Sequence, residues 1–96
     1  MAFIQLDYLN AIAQAKKLEA AADRCGEALK TLRSQAGSSE QFWQGNSGKA
    51  MRAKMAETAN QLSAAQSELL AIAATIRKVA EELKETDTGL AALFRR

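Results

Sequence analysis

The chain has 96 residues, a formal net charge of +2 and a single cysteine, Cys25. A chain of this length forms one domain at most, and one cysteine excludes an intrachain disulfide. The absence of histidine excludes a zinc site of the usual Cys/His type and the Ser-His and Cys-His pairs of nucleophilic catalysis. Thirteen basic against eleven acidic residues give no basic field that would indicate nucleic-acid binding. The chain has no proline and is 48% apolar, a composition typical of long helices. We therefore expect one all-α domain that is not an enzyme and needs neither a metal nor a cofactor.

The first long segment predicts one continuous helix over about residues 4–36. Apolar or small residues recur there in alternating steps of four and three, which is the a/d pattern of a helix that packs along one stripe. The members are Ile4, Tyr8, Ala11, Ala15, Leu18, Ala22, Cys25, Leu29 and Leu32. Because Cys25 lies on this stripe, we interpret it as a buried small side chain rather than a reactive thiol.

A short polar break over about residues 37–46 predicts the turn of a hairpin. Gly37 suits the left-handed conformation that ends a helix. Asn46 or Ser47 has a side-chain oxygen that can cap the helix that follows. Because the break is short, the two helices are expected to fold back antiparallel.

Phe42 and Trp43 are two of the five aromatic residues, and both lie in this polar break. An aromatic pair in a loop fits either of two roles, a plug for the open end of the hairpin or an exposed anchor for a partner. Gly45 follows Trp43 by two positions, and Gly48 comes one helical turn later. Each glycine permits a positive φ or a close approach of the second helix to the turn.

The second long segment predicts a helix over about residues 47–86. Its stripe comprises Met51, Met55, Thr58, Leu62, Ala65, Leu69, Ile72, Ile76, Val79 and Leu83, of which Thr58 is the polar member. Asp87, Thr88 and Gly89 are poor helix formers, so we expect the helix to fray there into a short or mobile tail over residues 87–96.

The apolar residues exceed what one hairpin seam requires. Leu6, Leu9, Ile12, Leu70, Ala73, Ala74 and Ala80 lie beside the two stripes. Wide stripes on both helices are typical of a four-helix bundle, so we predict a dimer of hairpins or a hairpin docked on a different helical partner. The residues expected to lead the hairpin or dimer seam are Leu18, Leu29, Leu32, Leu62, Leu69, Ile72 and Ile76.

Neither a membrane span nor a signal peptide is expected. No segment approaches the roughly 18 consecutive apolar residues that suggest a transmembrane helix. The first fifteen residues lack a basic opening, and Gln5, Asp7 and Asn10 interrupt their apolar run. If the protein leaves the cell, we expect a route that uses no signal peptide.

Trp43-Gln44-Gly45, placed between two long helices of a chain of about a hundred residues, resembles the WXG-type, ESAT-like proteins of bacterial type VII secretion. Phe42 before the motif and Gly48-Lys49-Ala50-Met51 after it are also similar to that family. The resemblance implies a secreted protein, cytoplasmic before export, that pairs with its own copy or a related hairpin as a four-helix bundle. It also implies export in the folded state through a membrane complex driven by a secretion ATPase. Some relatives bind the helical N-terminal domain of a larger secreted toxin and escort it to that machine.

One departure from the family concerns the export signal, which is commonly Tyr-x-x-x-Asp/Glu after the second helix. Tyr8 is the only tyrosine of the chain. The missing signal favours a heterodimer whose partner carries it, or a lineage with a different signal. The alternative function is a cytoplasmic helical adaptor or structural dimer that is not exported.

Overall fold

The computed structural model describes the backbone of residues 2–94 and the side chains of residues 7–86. Two helices make up most of that backbone: α1 spans Ala2–Ser39 and α2 spans Gly45–Phe94, and no strand occurs in residues 2–94. The helices pack against each other as a hairpin, so the predicted all-α two-helix hairpin is confirmed. The predicted stripe residue Ile4 and the side chains of the predicted tail lie outside the described side chains.

The turn begins later than the sequence predicts. α1 continues through Gly37 to Ser39, so Gly37 is an internal helical residue and does not end the helix. Among the described residues the positive φ belongs to Gly45, at 87°. A glycine inside a helix costs on the order of 1 kcal/mol relative to alanine, which is too little to end a helix whose neighbouring turns are intact.

The second helix exceeds its predicted bounds at both ends. It begins at Gly45 and passes through Asp87-Thr88-Gly89, where the sequence predicts fraying, to Phe94. The Oγ1 of Thr86 donates a hydrogen bond of 2.9 Å to the carbonyl oxygen of Glu82, as it does when the helix around it is intact. The three poor helix formers include no proline, so no backbone donor is lost where they occur.

The contacts of the chain fall into two compact units. The terminal unit comprises Met1–Ala20 with Leu69–Arg96, and the turn unit comprises Ala21–Glu68. Each unit contains a part of α1 packed on a part of α2. The single-domain organisation expected from the chain length stays a prediction.

Small side chains form the line of closest contact in both units. In the terminal unit Ala15, Ala73 and Ala80 are buried, and in the turn unit Ala22, Leu29 and Ala59 are buried. Leu29 is the one large apolar side chain among the buried residues that the structure describes. Alanine carries little beyond its Cβ, so small side chains fill this line and larger apolar residues lie at its sides.

The contact line on α2 is turned by one residue from the predicted stripe. Ala73 and Ala80, expected beside the seam, are 1% and 2% exposed, whereas their neighbours Ile72 and Val79 are 44% and 47% exposed. One residue is about 100° of rotation around an α-helix. The predicted α2 stripe therefore lies along one side of the contact line and stays open to solvent there.

Polar bridges join the helices in the terminal unit. Arg77 donates two hydrogen bonds, each 2.8 Å long, to the carboxylate of Glu19. The hydroxyl of Tyr8 donates a hydrogen bond of 2.6 Å to Oε1 of Glu81, and the Nζ of Lys84 lies 4.8 Å from the centroid of the Tyr8 ring. These contacts set the register in which the two helices of this unit face each other.

Candidate partner-binding site

The turn is organised by the last residue of α1. The backbone N–H groups of Phe42 and Trp43 both donate to the carbonyl oxygen of Ser39, at 3.3 and 2.8 Å. The side chain of Ser39 is buried, and its Oγ donates a hydrogen bond of 2.7 Å to the carbonyl oxygen of Ala36. A buried hydroxyl without a partner would be costly, and here the preceding turn of helix supplies that partner.

Gly45 and Gly48 are required by the path of the backbone. Gly45 is the first residue of α2 and has φ of 87°, a conformation that side-chain-bearing residues rarely adopt. A Cβ built on Gly48 would overlap the carbonyl oxygen of Trp43 and lie 2.8 Å from its carbonyl carbon. The close approach that the sequence allowed at these glycines is therefore present at Gly48, and the positive φ is present at Gly45.

Trp43 is held by the first turns of α2. Its carbonyl oxygen accepts a hydrogen bond of 2.7 Å from Nη1 of Arg52, and its indole Nε1 donates to Oγ of Ser47 at 3.1 Å. The Trp43 side chain is half-buried, whereas the adjacent Phe42 is 76% exposed. The two aromatic residues of the turn thus have different surroundings.

A groove of about 480 Å³, the turn groove, opens beside these aromatic residues. It is lined by Gln35, Ser38, Ser39, Phe42, Trp43, Met51 and Met55. None of these side chains is charged. The turn groove therefore suits an uncharged, apolar partner surface, because a charge buried against it would lose its hydration without gaining an ion pair.

The predicted seam residues differ in burial. Leu29 is 8% exposed and lies in the contact line of the turn unit. Leu18, Leu32, Leu62, Leu69 and Ile76 are half-buried, and Ile72 is exposed. Except for Leu29, the seam residues thus border the contact line and keep part of their apolar surface in solvent.

In the terminal unit, Leu69, Ile72, Ile76, Val79 and Leu83 form an apolar surface on α2 that we call the terminal stripe. Three of its members, Ile72, Val79 and Leu83, are 44, 47 and 55% exposed. A groove of about 390 Å³ runs beside it, lined by Asp7, Tyr8, Ala11, Thr75, Ile76, Val79, Ala80 and Leu83. Counted at 100° per residue from Ala80, Arg77 and Glu81 lie on the other side of α2. One side of α2 is therefore tied to α1 by polar bridges, and the other is apolar and open.

The polar bridges shift the pKa values of three groups, and the hydrogen bonds to Glu19 raise that of Arg77. The hydrogen bonds from Arg77 lower the pKa of Glu19 below its ordinary 4.5, and the positive charges of Arg77 and Lys16 act in the same direction. The hydrogen bond to Glu81 raises the pKa of Tyr8 above 10.0. A bidentate pairing of guanidinium and carboxylate is directional as well as electrostatic, so it is suited to fixing register even at a partly exposed position.

Replacing Glu19 by glutamine is expected to lower thermal stability at neutral pH and to leave it nearly unchanged in acid. Because the pKa of Glu19 is lower in the folded chain, its ionic contribution is present above the unfolded pKa. That contribution is lost as the pH falls through the folded pKa. Thermal unfolding of the parent and of Glu19→Gln at about pH 7 and about pH 2 measures this. A difference in midpoint that is the same at both pH values would show that the carboxylate charge is not what stabilises the pair.

The described residues show no feature that suggests a metal or membrane-spanning role. No group of three or more His, Cys, Asp or Glu side chains converges within them. Cys25 is half-buried and free. Over the same residues, neither helix is long and apolar enough to cross a membrane.

Sequence reasoning singled out Phe42, Trp43 and Gly45, and the structure places all three in one turn. It did not assign roles to Arg52 or to the side chain of Ser47 as a partner of Trp43. The sequence did contain a signal for these contacts: Gly48 lies one turn into α2, and Arg52 follows it by four positions. Whether these two residues contact Trp43 depends on the direction of the Trp43 carbonyl, which the periodicity of the sequence does not reveal.

Comparison with known proteins shows which family the chain resembles. The family model described as "Proteins of 100 residues with WXG" matches residues 4–88 of this chain, a range that includes the turn and most of both helices. Neither the curated proteins nor the solved structures contain a match. The resemblance inferred from Trp43-Gln44-Gly45 is thereby confirmed. The chain belongs to the WXG100 family, whose members are helical secreted proteins linked to type VII secretion rather than enzymes.

Proposed function

We propose that this chain is a type VII secretion substrate, or the targeting partner of one, and that it acts by pairing its hairpin with a second hairpin in a four-helix bundle. No catalytic step is part of this function. The proposal joins membership of the WXG100 family, whose members typically pair as helical hairpin dimers, to the open apolar surface of α2.

The terminal stripe is the observation that carries the pairing. Leucine, isoleucine and valine side chains each contribute roughly 1.5–3 kcal/mol when they are fully buried rather than left in water. Ile72, Val79 and Leu83 are each close to half exposed in the single chain, so they realise only part of that gain. A second helical hairpin laid along the terminal stripe removes the remaining apolar surface from water.

The chemical difference between the two sides of α2 favours one docking side. On the side of α2 that carries the polar bridges, a partner would have to disrupt or cover Glu19, Arg77 and Glu81. These residues already form hydrogen bonds within the chain. On the other side, the residues of the terminal stripe carry no charge, and Asp7 is the charged residue that lines the adjacent groove. The partner that fits this surface is another hairpin, either a second copy or a related chain, or the helical N-terminal domain of a larger secreted toxin.

Export is the test of this function. The protein should appear in the culture supernatant of its native bacterium when the type VII ATPase works and be absent from the supernatant when that ATPase is inactivated. A cytoplasmic marker protein measured in the same supernatants controls for lysis. Retention in the cells of both strains would contradict export and support the alternative, a cytoplasmic helical adaptor or structural dimer.

A further inference from the structure

The turn end of the hairpin, residues 30–54, concentrates positive charge that the chain as a whole does not have. This segment contains five basic residues and one acidic residue, Glu40, which leaves eight basic and ten acidic residues in the rest of the chain. The basic residues are Lys30, Arg33, Lys49, Arg52 and Lys54. The segment lies wholly within the turn unit, where it comprises the end of α1, the turn and the start of α2.

Most of this charge is not neutralised inside the chain. Among the side chains that the structure describes, Lys54 pairs with Glu57 at 3.5 Å, and both members of that pair are mostly exposed. The other four basic residues of the turn end pair with no carboxylate of the described part of the chain. Arg52 donates instead to the carbonyl oxygen of Trp43, which leaves its charge in place. A positive potential therefore remains at the turn end and favours an anionic partner.

An apolar side chain stands in front of these cations. Phe42 lies in the turn between the two helices and is 76% exposed, and a phenyl ring has no polar atom that favours exposure. At a rise of 1.5 Å per residue, Lys49, Arg33 and Arg52 lie roughly 6–10 Å along their helices from the helix ends at the turn. Apolar side chains of peripheral membrane proteins enter the boundary between headgroups and acyl chains by roughly 5–10 Å. The cations would therefore lie at the level of the lipid phosphates when the ring is inserted.

We propose that the turn end docks on an anionic membrane surface, with Phe42 entering the boundary between headgroups and acyl chains and the cations behind it binding lipid phosphates. The contact is peripheral, in keeping with the described parts of both helices, neither of which can cross a membrane. A bilayer fits better than an acidic polypeptide because the cations are spread over both helices behind one exposed ring. A plane laid across the turn reaches both helices at once, whereas a single extended peptide would follow one side of the hairpin.

Vesicles of two compositions test this docking with the full-length protein. Phosphatidylcholine alone gives a neutral surface, and its mixture with phosphatidylglycerol gives an anionic one. Co-sedimentation measures binding, and lipids brominated in their acyl chains quench Trp43, the sole tryptophan, if the turn lies at the bilayer. We expect binding and quenching with the anionic vesicles and not with the neutral ones. High salt should abolish the binding, because it screens the surface charge.

Four substitutions at exposed positions assign the contact to the turn end. Phe42→Ala is expected to weaken vesicle binding about tenfold, and Lys49→Gln about fivefold. Glu40→Gln is expected to tighten it about fivefold, because it removes the acidic residue of the turn end. Arg24→Gln is the matched control and should bind like the parent, since Arg24 lies on α1 about 22 Å from Ser39 and its charge is screened over that distance. Circular dichroism checks that all four variants stay helical.

Three other results would each overturn this docking. Binding to neither kind of vesicle would show that the charge of the turn end is only solvated. Equal losses for Arg24→Gln and Lys49→Gln would show a diffuse attraction of the whole chain. Binding of soluble polyglutamate without binding of anionic vesicles would identify an acidic polypeptide as the occupant. Docking at the turn end depends neither on pairing nor on export, so each of these results leaves the proposed function to its own test.

Discussion

Replacing Leu69 by aspartate is expected to dissociate the paired hairpins into single chains. Leu69 belongs to the terminal stripe and is half-buried before any partner is present. An unpaired carboxylate taken out of water at such a site costs several kcal/mol. A symmetric dimer would bury two of them, so we expect the dissociation constant to rise by about a hundredfold or more.

Light scattering coupled to size-exclusion chromatography measures this change as solution mass. Ser67→Asp is the matched control, because it adds the same charge at an exposed position on another face of α2. Ile72→Asp is the second variant, since Ile72 is already 44% exposed and we expect its replacement to leave the hairpin folded. If the parent is a dimer and Leu69→Asp and Ile72→Asp both keep its solution mass, the terminal stripe is not the dimer surface.

Replacing Gly48 by alanine is expected to destabilise the turn by about 1–3 kcal/mol, the range for an added methyl group that has no room. The new Cβ would overlap the carbonyl of Trp43, which is backbone and is also held by Arg52. Relief therefore requires the start of α2 to move away from the turn. We expect a lower unfolding midpoint together with a change in Trp43 emission.

Gly37→Ala is the matched control for this substitution. Gly37 is also helical, but nothing lies within 4 Å of a Cβ built on it. Alanine there should stabilise the chain by up to about 1 kcal/mol through helix propensity. Thermal unfolding followed by circular dichroism compares the two variants. Equal stability of Gly48→Ala and the parent would show that the turn accommodates a side chain at that position.

The positions of the turn residues show how far sequence reasoning reaches. Trp43 and Gly45 were identified because a glycine two residues after a tryptophan stood between two periodic segments. The helix limits were less accurate, since Gly37 was expected to end α1 and the structure gives the positive φ to Gly45. Glycine is compatible with both conformations, so its presence alone does not locate the turn.

Two helices of strong apolar periodicity, a short polar turn and the WXG100 motif were determined by the sequence itself, because helix propensity and side-chain spacing are local properties. The tertiary structure decided which face of α2 packs inside the hairpin. Periodicity defines a face only to within a residue, and in the folded hairpin Ala73 and Ala80 are buried while their larger neighbours Ile72 and Val79 are exposed. The tertiary structure also decided that Arg52 and Gly48 hold the Trp43 carbonyl while Phe42 stays exposed. Those contacts depend on the direction of one carbonyl group in the turn, which the spacing of residues along the sequence does not specify.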